Sequence, residues 1–245
     1  MKIFGLIGKS LAHSFSQSYF EEKFEKEGLH DCQYRLFEIS SIEKLPELIA
    51  SEPDLCGFNV TIPYKKSVMD YLDELSSEAA EIGAVNVVRV FRVGKQVVLK
   101  GYNTDSEGFI QSLAGEQVPS PAMVIGSGGA AAAVMHALSR LKIPFLQVSR
   151  KGGAGQLLLS QVSAKDIEAH PFLINCTPVG TYGNVDQRLT LPYEALTSKH
   201  FLYDLVYNPD VTPFLQEGLR RGARVQNGLK MLHLQAEAAW RIWNR

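Results

Sequence analysis

The chain has 245 residues, 45% of them hydrophobic and 21% charged, an ordinary globular balance with enough length for one large domain or two small ones. With 25 basic and 26 acidic side chains the net charge is -1, which excludes the field that gathers nucleic acid or an anionic membrane and leaves a small molecule as the expected partner. Cys32, Cys56 and Cys176 make no Cys-x-x-Cys pair and have no histidines at zinc-ligand spacing, so reduced thiols in a cytoplasmic setting are expected, without a disulfide framework or a metal.

Met1-Lys2 leads straight into an apolar run without a long apolar leader, and no run approaches the ~18 apolar residues of a spanning helix, so an untargeted, soluble protein is expected. Over the first hundred or so residues β-rich runs alternate with amphipathic ones: 3–7 then 17–27, 33–39 then 42–50, 55–60 then 65–75. This is an α/β rhythm. Two β-branched runs, 84–93 and 96–102, flank Gly94-Lys95 and predict a hairpin that closes the region as an antiparallel ribbon, with a domain boundary near residue 102. Helical spacing returns over 106–113, and a Gly/Pro/Ser loop, 115–121, leads into a strand at 122–125. Apolar runs at 145–148, 172–175, 201–206 and 223–225, separated by helical or turn segments, predict a parallel, doubly wound sheet. The last stretch, 231–243, is predicted helical, and its Leu232, Leu234, Ala236, Ala239, Trp240 and Trp243 suit a helix that packs back across both units.

Two features carry chemistry. In Val124-Ile125-Gly126-Ser127-Gly128-Gly129-Ala130-Ala131, the residues Gly126, Gly128 and Ala131 fit G-x-G-x-x-G/A. The first glycine allows the tight turn, the second admits a pyrophosphate, and the small third residue lets the helix 130–141 approach the strand, with helix N-terminal amides on the phosphates. Beyond the next strand stands Ser149-Arg150-Lys151, where an NAD site places an acid on the ribose 2′-hydroxyl. Two cations beside a hydroxyl favour a 2′-phosphate, hence NADP; the alternative is that both are solvated loop charges. The second feature is Asn59-Val60-Thr61-Ile62-Pro63-Tyr64-Lys65 with Asn103-Thr104-Asp105, a lysine, a carboxylate and neutral hydrogen-bonding groups suited to acid/base work. Together the two point to a dehydrogenase. Lys65 taken alone is equally an exposed residue in the first turn of a helix.

Eight segments in this order resemble the shikimate dehydrogenase family, and the resemblance covers essentially the whole chain: His13-Ser14-Phe15-Ser16, the 59–65 segment, Gly83-Ala84-Val85-Asn86, Asn103-Thr104-Asp105, the 126–131 loop, Asn175-Cys176-Thr177-Pro178-Val179-Gly180, Tyr203-Asp204-Leu205-Val206-Tyr207, and Gly228-Leu229-Lys230-Met231-Leu232-His233-Leu234-Gln235. The family interconverts 3-dehydroshikimate and shikimate with NADP(H) in aromatic amino-acid biosynthesis. The resemblance implies an α/β fold with an N-terminal substrate domain of mixed sheet, residues 1–102 with 229–245, and a Rossmann-type doubly wound NADP-binding domain, residues 103–228. It makes Lys65 and Asp105 the proton-transfer pair, with no metal required. Ser14 and Ser16 then bind the substrate carboxylate, Thr61, Asn86, Asp105 and Gln235 hold the ring hydroxyls, and Tyr207 lines the cleft. Cofactor contacts fall to Gly126, Gly128, Gly129, Ala130, Ser149, Arg150, Lys151, Thr177, Gly228 and Met231, with Gly228 giving backbone access to the nicotinamide and Met231 an apolar wall.

Taken singly, Ser14 or Ser16 is equally a helix cap, Asn86 or Asn103 a turn residue, and Met231 or Tyr207 plain core. The chain departs from the family pattern at Gln17, usually proline; at Ser106, usually glycine; at Thr181-Tyr182, where methionine often stands; and at Ser149-Arg150-Lys151, in place of Asn-Arg-Thr. Rival readings are a quinate/shikimate dehydrogenase with relaxed substrate or NAD use, and a non-catalytic NADP-binding regulator. A monomer or homodimer is expected.

Overall fold

The computed structural model describes residues 1–244 except His13, Lys95, Ala154 and Asn184; Arg245 also lies outside the described residues. The backbone separates into two compact units, Met1–Thr104 with Ala236–Arg245, and Asp105–Gln235.

The first unit is a mixed sheet with helices. In chain order it contains β1 (Lys2–Gly8), α1 (Phe15–Lys26), β2 (Cys32–Glu38), α2 (Leu45–Ser51), β3 (Leu55–Val60), β4 (Glu74–Leu75), α3 (Ser77–Ile82), β5 (Val87–Val93) and β6 (Gln96–Tyr102). The strand order is β2-β1-β3-β5-β6-β4. β1 runs parallel to β2 and β3, while β5 runs antiparallel to β3 and β6. The predicted hairpin is present, with Val93 paired to Gln96 and Gly94 at φ 62°, a left-handed value that glycine adopts without a side-chain clash; Lys95 of that turn is outside the described residues.

The continuous amphipathic stretch expected over 65–75 is corrected to a short 3-10 helix, Ser67–Tyr71, followed by β4. Its ends are pulled into the sheet before a full helix can form. Val85 N donates to Lys65 O at 2.7 Å, Asp73 N donates to Leu99 O at 3.0 Å, and the Asp73 carboxylate accepts from Leu99 N at 2.7 Å. The strands bury one cluster that includes Ile3, Ile7, Leu55, Phe58 and Val88, and a second that includes Phe4, Phe20, Tyr34 and Trp243.

The second unit contains α4 (Asp105–Ser112), β7 (Ala122–Ile125), α5 (Gly129–Arg140), β8 (Phe145–Ser149), β9 (Gln156–Leu158), α6 (Ala164–Ala169), β10 (Phe172–Asn175), β11 (Phe201–Asp204), α7 (Pro213–Arg220) and β12 (Arg224–Gln226). All its strand pairings are parallel, in the order β12-β11-β10-β7-β8-β9. Read from the other edge this is 3-2-1-4-5-6, the doubly wound Rossmann arrangement, with the order reversing between β7 and β10. Parallel strands covered on both faces need apolar residues throughout, and β7, β10 and β11 are buried at every position. β11 stops at Asp204 where a strand to 206 was expected, because the Asp204 carboxylate accepts from Val206 N at 3.0 Å and turns the chain. The last helix, α8 (Leu229–Trp243), begins in the second unit; from Ala236 onward it belongs to the first.

Candidate active site

In the first unit the ends of neighbouring strands gather Thr61, Lys65 and Asn86 of the predicted site. The carboxyl ends of β1, β3 and β6 and the amino end of β5 fall together there, as the pairings of Ile7 with Val60, Asn59 with Val87 and Val87 with Tyr102 require. Backbone bonds continue the pattern past the strands. Thr61 N donates to Ile7 O at 3.0 Å, Val60 N to Asn86 O at 2.9 Å, and Asn86 N to Tyr102 O at 3.1 Å. Thr61, Lys65 and Asn86 are thereby fixed on neighbouring backbone segments. Lys65 lies in the turn after β3, half-buried, and the Tyr64 hydroxyl beside it donates to Ile39 O at 2.7 Å.

Asn86 is buried and holds Thr104. Its side-chain oxygen accepts from Thr104 N at 2.8 Å, and its Nδ2 donates to Thr104 Oγ1 at 3.0 Å. Asn103 Nδ2 donates to Ala84 O at 2.9 Å. The chain passes from these strand ends straight into Asp105, which opens α4 and is buried.

Ser14 is the N-cap of α1, its hydroxyl accepting from Ser16 N at 3.2 Å, so α1 starts at Phe15, two residues earlier than the apolar spacing suggested. His13 of that segment lies outside the described residues. Ser16 is within hydrogen-bonding reach of the Tyr34 phenol, which burial pushes well above its ordinary pKa. Tyr34 in turn donates to Asn59 Oδ1 at 2.8 Å, and Asn59 Nδ2 to Asn86 O at 3.3 Å. Sequence reasoning missed Tyr34 because a tyrosine in a β-rich run is indistinguishable from core; Asn59, an amide inside an otherwise apolar strand, was the available signal.

In the second unit the glycine loop follows β7 at the switch point. Gly126 has φ 139°, a backbone conformation that side chains rarely adopt, and a Cβ there would also crowd Cys176, at 3.2 Å from its Cβ and 3.3 Å from its backbone. Gly128 faces open space and caps α5 without a side-chain hydrogen bond, and α5 has no acid in its first turn. A helix that opens without an acid in its first turn, with open space at Gly128, suits an anionic diphosphate. Ala131 is fully buried, as close packing of helix on strand requires.

At the end of β8 the Ser149 hydroxyl donates to Gln156 Oε1 at 3.0 Å and accepts from Gly152 N at 3.1 Å. That turn holds Arg150 and Lys151 exposed, and among the described residues neither enters an ion pair. Two unneutralised cations fit a 2′-phosphate. Thr177, half-buried after β10, bonds to Asn175 through both its backbone N–H and its hydroxyl, at 2.9 and 2.7 Å. Tyr207 is half-buried in the loop after β11.

Met231 and Gln235 face α4 across Gly108, where a Cβ would come within 3.1 Å of Met231 O and 3.0 Å of Gln235 Cβ. A side chain at Gly108 would crowd this approach, one turn from Asp105. Met231 is buried in the apolar cluster of this unit. Gly228 is demanded by packing, since a Cβ would lie 2.1 Å from Leu205 O. The departures from the family pattern have local partners: Ser106, fully buried, sets its hydroxyl 3.0 Å from His136 Nδ1 and ties α4 to α5, Gln17 donates to Glu21 at 2.9 Å, and Tyr182 N donates to Asn208 O at 2.9 Å.

Among the described residues no group of three or more His, Cys, Asp or Glu side chains is placed to hold a metal ion, and no helix is long and apolar enough to cross a membrane. A family profile described as the shikimate dehydrogenase substrate binding domain matches residues 6–88. A shikimate dehydrogenase (NADP(+)) of Chlorobaculum tepidum is 38% identical over 99% of this chain and 90% of its own length. One of Caldanaerobacter subterraneus is 35% identical over 99% and 91%. The crystal structure of shikimate 5-dehydrogenase from Thermus thermophilus in complex with NADP(H) and shikimate superposes with a TM-score of 0.86 at 31% identity, covering 99% of this chain and 93% of that one.

Proposed function

The chain belongs to the shikimate dehydrogenase family, and from that premise we propose how its residues divide the work of interconverting 3-dehydroshikimate and shikimate. It is an NADP-dependent oxidoreductase acting on a CH–OH group. Residues 1–102 with 229–245 bind the substrate, and residues 103–228 bind NADP. Lys65 and Asp105 move the proton. NADPH, when bound, supplies the hydride to the carbonyl carbon. As negative charge gathers on the oxygen, the Lys65 ammonium neutralises it and donates a proton, and in the reverse direction the pair receives the hydroxyl proton. Ser14 and Ser16 hold the substrate carboxylate, Thr61, Asn86, Asp105 and Gln235 its hydroxyls, and Tyr207 lines the cleft. The glycine loop, Arg150, Lys151 and Thr177 hold the nucleotide.

The observation that carries this reading is the meeting of strand ends in the first sheet. Thr61, Lys65 and Asn86 are anchored there by backbone hydrogen bonds, and Thr104 delivers the chain to Asp105 from the same strand ends. The three free cysteines support a reducing, cytoplasmic location. The test is Lys65→Ala. Turnover of shikimate with NADP is expected to fall about 10²–10⁴-fold, the range of a lost general acid/base, with NADP affinity nearly unchanged. Retention of most of the wild-type rate would remove Lys65 from the chemistry, and NADPH binding without any turnover by the wild type would favour the regulator reading.

A further inference from the structure

Asp204 closes β11 with its side chain fully buried, and its carboxylate accepts three hydrogen bonds: from Asn175 Nδ2 at 2.9 Å, Val206 N at 3.0 Å and Thr212 Oγ1 at 2.6 Å. Asp204 Oδ1, which takes both the Asn175 and the Val206 bonds, only accepts whether or not Oδ2 carries a proton, so it dictates the polarity of Asn175. Asn175 turns its NH₂ to Asp204, and its carbonyl oxygen therefore faces Thr177, taking both the backbone N–H and the hydroxyl proton. The single hydroxyl proton of Thr177 is thus committed. Its oxygen also accepts from Val179 N at 3.3 Å, and what it still offers outward is a lone pair. On the far side the Thr212 hydroxyl, donating to Asp204, accepts from Leu215 N and caps α7, while Leu205 N donates to Asn175 O at 2.9 Å and joins the ends of β10 and β11. One buried carboxyl group sets the loop after β10, the loop after β11 and the start of α7.

We propose that Asp204 is a positioning residue for the cofactor: through Asn175 it makes Thr177 a hydrogen-bond acceptor and not a donor, so that this wall of the crevice takes a ribose hydroxyl or an amide N–H of the dinucleotide and not a phosphate oxygen. The inference rests on the assignment of Thr177 to the NADP site. It is supported by position, since Cys176, next to Thr177, lies against Gly126 of the glycine loop.

The test begins with NADPH titration of Asp204→Leu, which keeps the branched shape and removes the acceptor that Asn175 Nδ2 faces. NADPH Kd and KM for NADP are expected to rise about tenfold, the worth of one hydrogen bond with a buried partner, while KM for shikimate stays unchanged. Thr177→Val is expected to give a similar rise and the double variant no further loss, because both changes remove one relay. Thr177→Ser is expected to keep wild-type affinity, which also serves if Asp204→Leu does not fold. Wild-type NADPH affinity in Asp204→Leu, losses that multiply in the double variant, or equal affinity of the Val and Ser variants would each overturn the proposal. Shikimate turnover by the wild type is measured alongside, so a failed relay in an active dehydrogenase removes this inference alone.

Discussion

Asp204 also shows how a single residue links charge to stability. Burial raises its pKa from the ordinary carboxylate range to about 7, against the lowering effect of the bonds from Thr212, Val206 and Asn175. A carboxyl raised on folding contributes stability that is fully present below its unfolded pKa and is lost as pH rises through its folded one, here from about 4 to about 7. Its electrostatic neighbours Cys176 and Tyr193 are themselves pushed upward by burial and stay neutral across that window. Urea unfolding is therefore expected to show a decline in stability over that window that Asp204→Asn lacks; parallel profiles for the two proteins would contradict the assignment. Arg150 carries the second residue-scale prediction. Exposed on the turn after β8 and without an ion pair among the described residues, its guanidinium is available to a 2′-phosphate. Arg150→Ala is expected to weaken NADP by roughly 10–100-fold, the worth of a charged hydrogen bond, and NAD little. Equal losses for both nucleotides would leave NAD use and the quinate-type alternative in contention.

At the scale of elements, α8 has two kinds of partner. Its first turns meet α4 at Gly108; its last turns complete the aromatic cluster of the first unit. Trp243 stacks on Phe4 with ring centroids 5.0 Å apart, donates Nε1–H to Val88 O at 3.0 Å, and fills the space over Gly57, where a Cβ would come within 2.3 Å of its Cδ1. The helix is also tied to α1, because Glu237 accepts from the Tyr19 hydroxyl and from Lys23. Burial alone would raise the Glu237 pKa, and these two donors hold it below its ordinary value. Trp243→Ala is expected to cost about 3–5 kcal/mol by opening a cavity beneath β1 and β3, measured as a lower midpoint in denaturant. A loss below about 1 kcal/mol would mean that the cluster collapses onto the space.

For the molecule as a whole, the chain enters one unit, leaves it at Thr104, builds the other, and returns at Ala236. The first unit is therefore discontinuous in sequence, and its aromatic core is complete only when the last residues are in place. Its mixed sheet and the all-parallel second sheet follow from their connections: a two-residue turn makes β5 and β6 antiparallel, whereas helical crossovers such as α5 between β7 and β8 enforce parallel pairing. Thr61, Lys65 and Asn86 sit where strands of the first sheet end, and the glycine loop sits where the strand order of the second reverses, which is where doubly wound sheets leave a crevice.

The sequence by itself determined the local and periodic features. Buried strands such as Ala122–Ile125 and Phe172–Asn175 are legible because their apolar runs are continuous and end at a glycine or an asparagine. The glycine loop is legible because its chemistry demands particular residues at fixed spacing. The helix α3 and the strand β9 were not, since six and three residues are too few to show a period. Only tertiary structure decided that Tyr34, Asn59, Asn175 and Asp204 are polar anchors and not plain core, and that Gly108 is the contact of two helices. The physical reason is that a buried polar group is defined by the partners that compensate its lost water, and those partners come from residues distant in sequence.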